Sequence, residues 1–455
     1  MIPFGCPLWI VLILVFLYGA VLGSFLNVCI YRIPQKENLW VSLKGLGSPP
    51  SYCPGCKNHI SPLDNIPVIG WLKLGGRCRF CDMRISVRYP LIEFFNGLIF
   101  AVVYWLEIPG HYGANITDGG LYSILGPQGL VDSFWLSPTA ILHWRYAYHI
   151  VLLEALIVAT FIDIDIRIIP DGSTLPAMAV GVLCALAIGQ VHLAPLWFQE
   201  PSLVRSTGLI LPDWLNGLLN QPANVGRFYV PQWITAHSHW HGLLVSITGL
   251  AVGGGIVWAV RLIGFWVLRQ EAMGFGDVVL MACIGAFFGW QPTVVVFFIA
   301  PVCAIVVVAG CWIFWQHREI PYGPYLSSAA LIVIIGWKQI WPIAERLFAF
   351  GPIIIVLAMF MGVMLIAILH LVQLLKRMLG IPLYPDPWIE EWTSADQLAH
   401  FSGETIEFYQ GHWQPELCEE WLGIPSGRGT AHEQIWRRGC RCHTSRDWHL
   451  RQSEM

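Results

Sequence analysis

Four cysteines stand in two pairs, Cys53-Pro-Gly-Cys56 and Cys78-Arg-Phe-Cys81, with residues 57–77 between them. Each pair can offer two thiolates from one tight turn, and this is zinc-ribbon spacing. Four sulfurs fill a tetrahedral site and leave no open position, so the pattern predicts a structural zinc and argues against a catalytic one. In a reducing compartment metal is favoured over disulfides. The competing reading is two unrelated pairs of turn or redox cysteines.

Two acidic groups suggest a second chemistry. One is Phe161-Ile-Asp163-Ile-Asp165-Ile-Arg167-Ile-Ile-Pro170-Asp171, and the other is Gly274-Phe-Gly276-Asp277. Both border long apolar runs, where a charge is costly unless it is used or paired. Gly274 and Gly276 let the backbone come close to a neighbour just before a helix opens. If Asp163 and Asp277 meet in a low-dielectric site they cannot both ionise easily, so one holds a proton while the other acts as base. That arrangement suits aspartyl peptide hydrolysis, in which one carboxylate deprotonates water and the other protonates the carbonyl oxygen. The plainer readings are that Asp163, Asp165 or Asp171 pairs with Arg167 or caps the helix near Pro170, and that the glycines mark an ordinary turn.

The elements that position these residues are membrane helices. A length of 455 residues would make about three soluble domains, but 12% of the chain is charged, against roughly 25% in soluble proteins. Hydrophobic residues make up 56%, which excludes an ordinary soluble enzyme. Apolar runs fall at 7–29, 89–106, 146–163, 173–191, 241–268, 278–290, 292–315, 325–343 and 351–375. The first has no basic leader and no A-x-A site, so it reads as a retained helix and not a signal. The expected fold is therefore an all-α polytopic membrane protein of about eight to nine transmembrane helices with a small zinc-binding loop domain. Of these runs 278–290 is the weakest, too short to span upright. No internal repeat is evident.

The net charge of −3 excludes a globally basic nucleic-acid binder, so no nucleic-acid partner is expected and membrane lipid is. From Arg32 to Arg88 nine basic residues face three acids, Glu37, Asp64 and Asp82, whereas 107–144 contains no Lys or Arg. Basic loops stay cytoplasmic. The expected division is a first helix with its following motif at 1–34, the cytoplasmic zinc loop at 35–88 and a membrane core at 89–345 with outer insertions at about 107–145 and 192–240. An additional helix at 346–378 and a cytoplasmic tail at 379–455 complete it.

The chain resembles the prepilin peptidase family, the type IV leader peptidases of bacterial inner membranes. The resemblance rests on Gly23-Ser-Phe-Leu-Asn27-Val-Cys-Ile-Tyr31-Arg32-Ile-Pro34, the paired cysteines, Ile85-Ser-Val-Arg88-Tyr89-Pro90-Leu-Ile-Glu93, the block from Asp163 to Asp171, Gly274-Phe-Gly276-Asp277, and Ile320-Pro321-Tyr322-Gly323-Pro324-Tyr325. It covers about residues 8–345.

What the resemblance implies is a membrane aspartyl endopeptidase of the bacterial inner membrane. It would cleave the basic leader of type IV prepilins or type II secretion pseudopilins after a glycine, on the cytoplasmic side. Many members then methylate the new N-terminal amine with S-adenosylmethionine. Carried over by position, Asp163 and Asp277 are the catalytic aspartates, Cys53, Cys56, Cys78 and Cys81 hold the zinc, and Gly274, Gly276, Arg88 and Glu93 bind substrate or support the site. Arg88 and Glu93 could instead pair with each other. The family often has Lys two residues after the second aspartate, and here that position is Val279. A related Gly-x-Gly-Asp membrane protease with another substrate, or a catalytically silent scaffold, would share much of this pattern.

Smaller candidates remain. Glu154 lies mid-span and is either functional or held by a structural hydrogen bond. His237, His239 and His241 alternate and could meet a metal, as could Cys418, Cys440, Cys442 and His443 in the tail. Asn115-Ile-Thr117 fits a glycosylation sequon.

Overall fold

The computed structural model describes residues 7–35, 44–47, 52–53, 55–108, 138–200, 222–223, 230–268, 273–314 and 321–379. The tail candidates Cys418, Cys440, Cys442 and His443 and the sequon lie outside them, as does nearly all of the tail.

The described chain is helical. In order it forms α1 (Leu8–Arg32), α2 (Ile69–Lys73), α3 (Arg88–Glu107), α4 (Pro138–Ile166), α5 (Asp171–Ile188), α6 (Gln232–Ala236), α7 (Ser238–Leu268), α8 (Phe275–Phe288), α9 (Trp290–Phe314), α10 (Gly323–Ile335), α11 (Trp337–Phe348) and α12 (Ile353–Met378). A two-residue ribbon before α6 pairs Pro222 with Pro231 and Ala223 with Val230, antiparallel.

The bundle is organised around α8. This helix is apolar on every side, which in a folded protein means burial, and every residue from Leu280 to Phe288 is buried. It packs against α4, α5, α7, α9 and α10. The α7–α8 contact is backbone on backbone: a side chain on Gly249 would meet the carbonyl of Gly285, and one on Gly285 would meet that of Gly249. Small residues allow such close approach where no hydrophobic effect drives helices together. In contrast α12 is apolar all round and buries none of its residues. Its Gln373 side chain donates to the Val267 carbonyl of α7.

Among the described residues six helices, α1, α3, α5, α7, α9 and α12, are long and apolar enough to cross a membrane, and α10 with α11 makes a seventh if the bent pair is one span. The chain is thus a multi-pass membrane protein, with somewhat fewer such spans among these residues than the eight to nine expected. The expected runs all became helices, but not all became spans. At 14 residues, α8 is about 21 Å long, short of the roughly 30 Å hydrocarbon core, and protein surrounds it. In α4, Arg145, His149 and Asp163 are buried, so this helix is as much core as membrane wall.

The single run expected at 325–343 is broken at Gly336, where α11 turns 96° away from α10. Its buried residues Trp337, Trp341, Glu345 and Phe348 fall on one helical face. Trp341 packs on Phe198, with centroids 5.7 Å apart, so α11 lies across the bundle end instead of continuing through it.

Candidate active site

The last turn of α4 carries Asp163, and the first turn of α8 carries Asp277. Both are buried, at 4% and 8% exposure. The two carboxyl groups lie close enough for the charge of one to act on the other. The start of α10 completes the site. The Gly323 backbone N–H donates to Asp163 and that of Gly274 to Asp277. Ile169, in the connection after α4, touches both glycine corners: a Cβ built on Gly276 would sit 3.0 Å from Ile169 Cβ, and one on Gly323 would sit 3.2 Å from Ile169 Cδ1. Three helix termini therefore meet over one isoleucine.

Asp163 Oδ2 is fully buried and has no hydrogen-bond partner among the described residues. A buried acceptor in that state is costly unless something else engages it. A side chain on Gly323 would collide with this oxygen. Gly323 thus keeps one face of the carboxyl open, a role that sequence reasoning left unassigned. The signal was Gly323-Pro324 opening a helix, where proline suits the first turn and glycine permits close approach.

Arg88 opens α3 and braces the same turn of α4. Its Nη1 lies 2.7 Å from Asp165 Oδ1, its Nη2 donates to the Phe161 carbonyl at 3.4 Å, and its guanidinium sits 4.9 Å from the centre of the Phe161 ring. It therefore holds residues on both sides of Asp163. The alternative Arg88–Glu93 pair does not form. Glu93 instead accepts the Val68 N–H at 2.7 Å and a hydrogen bond from the Ser24 side chain. Asp165, to which no chemistry was assigned, is the partner of Arg88. Glu154 accepts the Asn96 side-chain N–H at 2.7 Å, and the same Asn96 amide donates to the Gly19 carbonyl. This node ties α1, α3 and α4 together and is the structural alternative for Glu154.

The cysteine loop forms a second site. The four sulfurs lie within 4.8 Å of one another, with Cys53 Sγ 3.7 Å from Cys81 Sγ and Cys56 Sγ 3.9 Å from Cys78 Sγ. Sulfurs around a tetrahedral zinc with bonds of about 2.3 Å stand about 3.8 Å apart, so the donor set fits that ion. The loop also contains a repeat that the sequence displays only in part. Lys57 N–H donates to the Cys53 carbonyl and Asp82 N–H to that of Cys78, while Cys53 N–H donates to Asn58 and Cys78 N–H to Met83. Lys57 and Asp82 share a positive φ, 56° and 59°. Tyr52 bridges His59 as Arg77 bridges Arg84. The two turns are one backbone structure used twice, with the cysteines and the following Ile60-Ser61 and Ile85-Ser86 common to both sequences. Backbone N–H groups of Phe80 and then Cys81 pull the Cys78 thiol down to about 6, which favours thiolate at neutral pH.

No other cluster of metal-ligating side chains is present among the described residues. His241 Nε2 accepts the Leu196 N–H at 2.9 Å, and His239 Nδ1 lies 3.0 Å from the Leu186 carbonyl, so these two histidines are committed to backbone. Removal of the metal has an expected result: purified protein contains about one zinc per chain, the Cys53→Ser variant contains none, and limited proteolysis then cuts between 52 and 85 far faster than in wild type. Metal analysis and peptide mapping check both.

Residues 17–106 match the family profile described as bacterial peptidase A24 N-terminal domain, and residues 225–309 match the one described as type IV leader peptidase family. A prepilin leader peptidase/N-methyltransferase of Klebsiella pneumoniae is 30% identical over 284 residues, covering 61% of this chain and 84% of that protein. Proteins of the same name from Aeromonas hydrophila and Neisseria gonorrhoeae are each 27% identical, over 74% of this chain and 94% and 93% of their own lengths. No solved structure matches the chain.

Proposed function

The chain belongs to the type IV leader peptidase family, and from that premise we propose that it cleaves the leader of prepilins or type II secretion pseudopilins after a glycine, using Asp163 and Asp277, and methylates the new N-terminus. The observation that carries the reading is the convergence of α4, α8 and α10 on two buried carboxyls, with one oxygen of Asp163 left open.

The chemistry follows from the pair. A water held between the carboxyls loses a proton to the ionised aspartate as its oxygen adds to the scissile carbonyl carbon. The protonated aspartate gives its proton to the carbonyl oxygen. Collapse of the tetrahedral species breaks the C–N bond, and the departing amine takes up the proton gained from water. The backbone N–H groups of Gly274 and Gly323 orient the two carboxyls. Water is the nucleophile in hydrolysis by such a pair.

The excess of basic residues from Arg32 to Arg88 supports a cytoplasmic zinc loop, and on that orientation Asp163 and Asp277 face the cytoplasmic side of a bacterial inner membrane. A substrate whose apolar stem lies in the bilayer and whose basic leader stays in the cytoplasm then presents its scissile bond at this level. Zinc held by Cys53, Cys56, Cys78 and Cys81 would be structural, with no open position for substrate. Methylation implies S-adenosylmethionine as donor, and among the described residues none is identified as its binding site. The test is co-expression with a prepilin-like substrate, with the product N-terminus read by mass spectrometry. Cleavage after glycine and an added methyl mass are expected, and an uncut substrate beside normally inserted enzyme would overturn the reading.

Arg88 and Asp165 act as positioning residues. Because both are partly exposed, their ion pair contributes at most about 1 kcal/mol to stability. The expected outcome is that Arg88→Ala and Asp165→Ala each lower kcat about tenfold with thermal stability nearly unchanged, and that the double variant is no worse than either single one. Additive losses in a double-mutant cycle would show that the two do not act through one contact.

A further inference from the structure

The cysteine loop exposes more apolar surface than a metal knot in water would. Leu63, Ile66, Ile69 and Leu72 follow one another at intervals of three and are 66%, 40%, 57% and 64% exposed. Contiguous apolar surface of this kind marks an interaction site. These residues flank Val68, where a φ of 60° reverses the chain.

The position of that turn is fixed by two membrane helices. Val68 N–H donates to Glu93 Oε2 at 2.7 Å, and Ser24 hydrogen-bonds the same carboxyl. Glu93 lies five residues beyond Arg88, the start of α3, and Ser24 lies eight residues before Arg32, the end of α1. At the helical rise these offsets are roughly 7 and 12 Å. The turn therefore lies against the first turns of α3 and the last turns of α1. The exposed side chains of α1 and α3 at this level are Val21, Phe25, Leu91, Phe94 and Phe95, all apolar, as expected where helices face hydrocarbon.

Charge identifies the occupant. Asp64 is engaged by Arg79, at 2.7 Å to Nε, and by Lys73 at 3.8 Å. Arg77 and Arg84 are exposed cross-strand neighbours with no carboxylate partner among the described residues. An apolar turn held against two apolar membrane helices and bordered by cations with no carboxylate partner among the described residues has the character of a segment lying in the interface of an anionic leaflet.

We propose that residues 63–72 are a membrane-dipping turn, with Leu63, Ile66, Ile69 and Leu72 inserted among acyl chains and Arg77 and Arg84 on anionic lipid headgroups. The zinc knot is thereby anchored at the bilayer surface beside α3, whose first residue braces Asp163.

The full-length, zinc-loaded protein tests this in nanodiscs carrying a phospholipid with a photoactivatable group in its acyl chain, with labelled peptides mapped by mass spectrometry. Peptides spanning 63–72 are expected to label, about fivefold more in phosphatidylglycerol-containing than in purely zwitterionic discs. α12, which buries none of its residues, supplies the internal standard for lipid contact. Ile69→Glu with Leu72→Glu should abolish the loop label while zinc content stays at the wild-type level, which shows that the knot still folds. Labelled α12 beside unlabelled 63–72 overturns the proposal. Equal labelling in both discs overturns its anionic part. Loop label that is lost when a prepilin-like substrate is added, with crosslinks to that substrate in its place, assigns the face to protein and not to lipid.

Discussion

Asp163→Asn and Asp277→Asn should each lower prepilin cleavage by about 10²- to 10⁴-fold, the range associated with loss of a general acid or base. Either amide keeps the side-chain shape but cannot exchange a proton, so the loss should fall on kcat and leave substrate binding nearly intact. The double variant should be about as inactive as either single one, because the pair acts as a unit. Membrane levels should stay normal, since each amide is nearly the same size and shape as the carboxyl it replaces and adds no buried charge. The measurement is single-turnover cleavage of a detergent-solubilised prepilin-like substrate at matched enzyme concentration. Methylation of a substrate supplied already cleaved should persist in both variants, because the dyad acts only in peptide hydrolysis. Processing at wild-type rate by either variant would remove that residue from the mechanism.

Gly323→Ala should damage cleavage strongly for a change of a single methyl group. Its Cβ would fall on Asp163 Oδ2, the one carboxyl oxygen left open, and would also crowd Ile169. Relief requires α10 to shift or the Asp163 side chain to rotate. A displacement of about 1 Å at a reacting group can cost about 10²-fold. The expected result is a fall in cleavage of about that size, with the protein still inserted and its zinc retained. Gly310→Ala supplies the control, because a Cβ there meets nothing within 4 Å, and it should cleave at the wild-type rate. If Gly323→Ala is as active as Gly310→Ala, the open oxygen of Asp163 is not where the reaction takes place.

Much of this protein is legible without coordinates. The apolar runs define helices because a chain in lipid must satisfy its own backbone hydrogen bonds, and each expected run does form one. The two cysteine pairs announce a metal knot because each supplies its ligands from a single local turn. Asp163 and Asp277 stand out because charged residues at the ends of apolar runs are rare and expensive.

What local sequence does not contain is which helix ends meet. Asp163, Asp277 and Gly323 lie far apart along the chain, and their meeting over Ile169 is set by how α4, α8 and α10 pack. Hydropathy likewise does not separate a helix buried in protein from one bathed in lipid, since both are apolar all round. It therefore overcounts spans at α8 and misses the break at Gly336, after which Trp341 packs on Phe198 and sets α11 across the bundle end. The partner of Arg88 was not legible for the same reason. Glu93 is near in sequence, but it points to Val68, while Asp165 is brought to Arg88 by the packing of α3 on α4. Residue types and local spacing determined which groups can do chemistry. The tertiary structure decided which of them act together, because contacts between distant segments depend on the mutual fit of whole helices and not on any one stretch of chain.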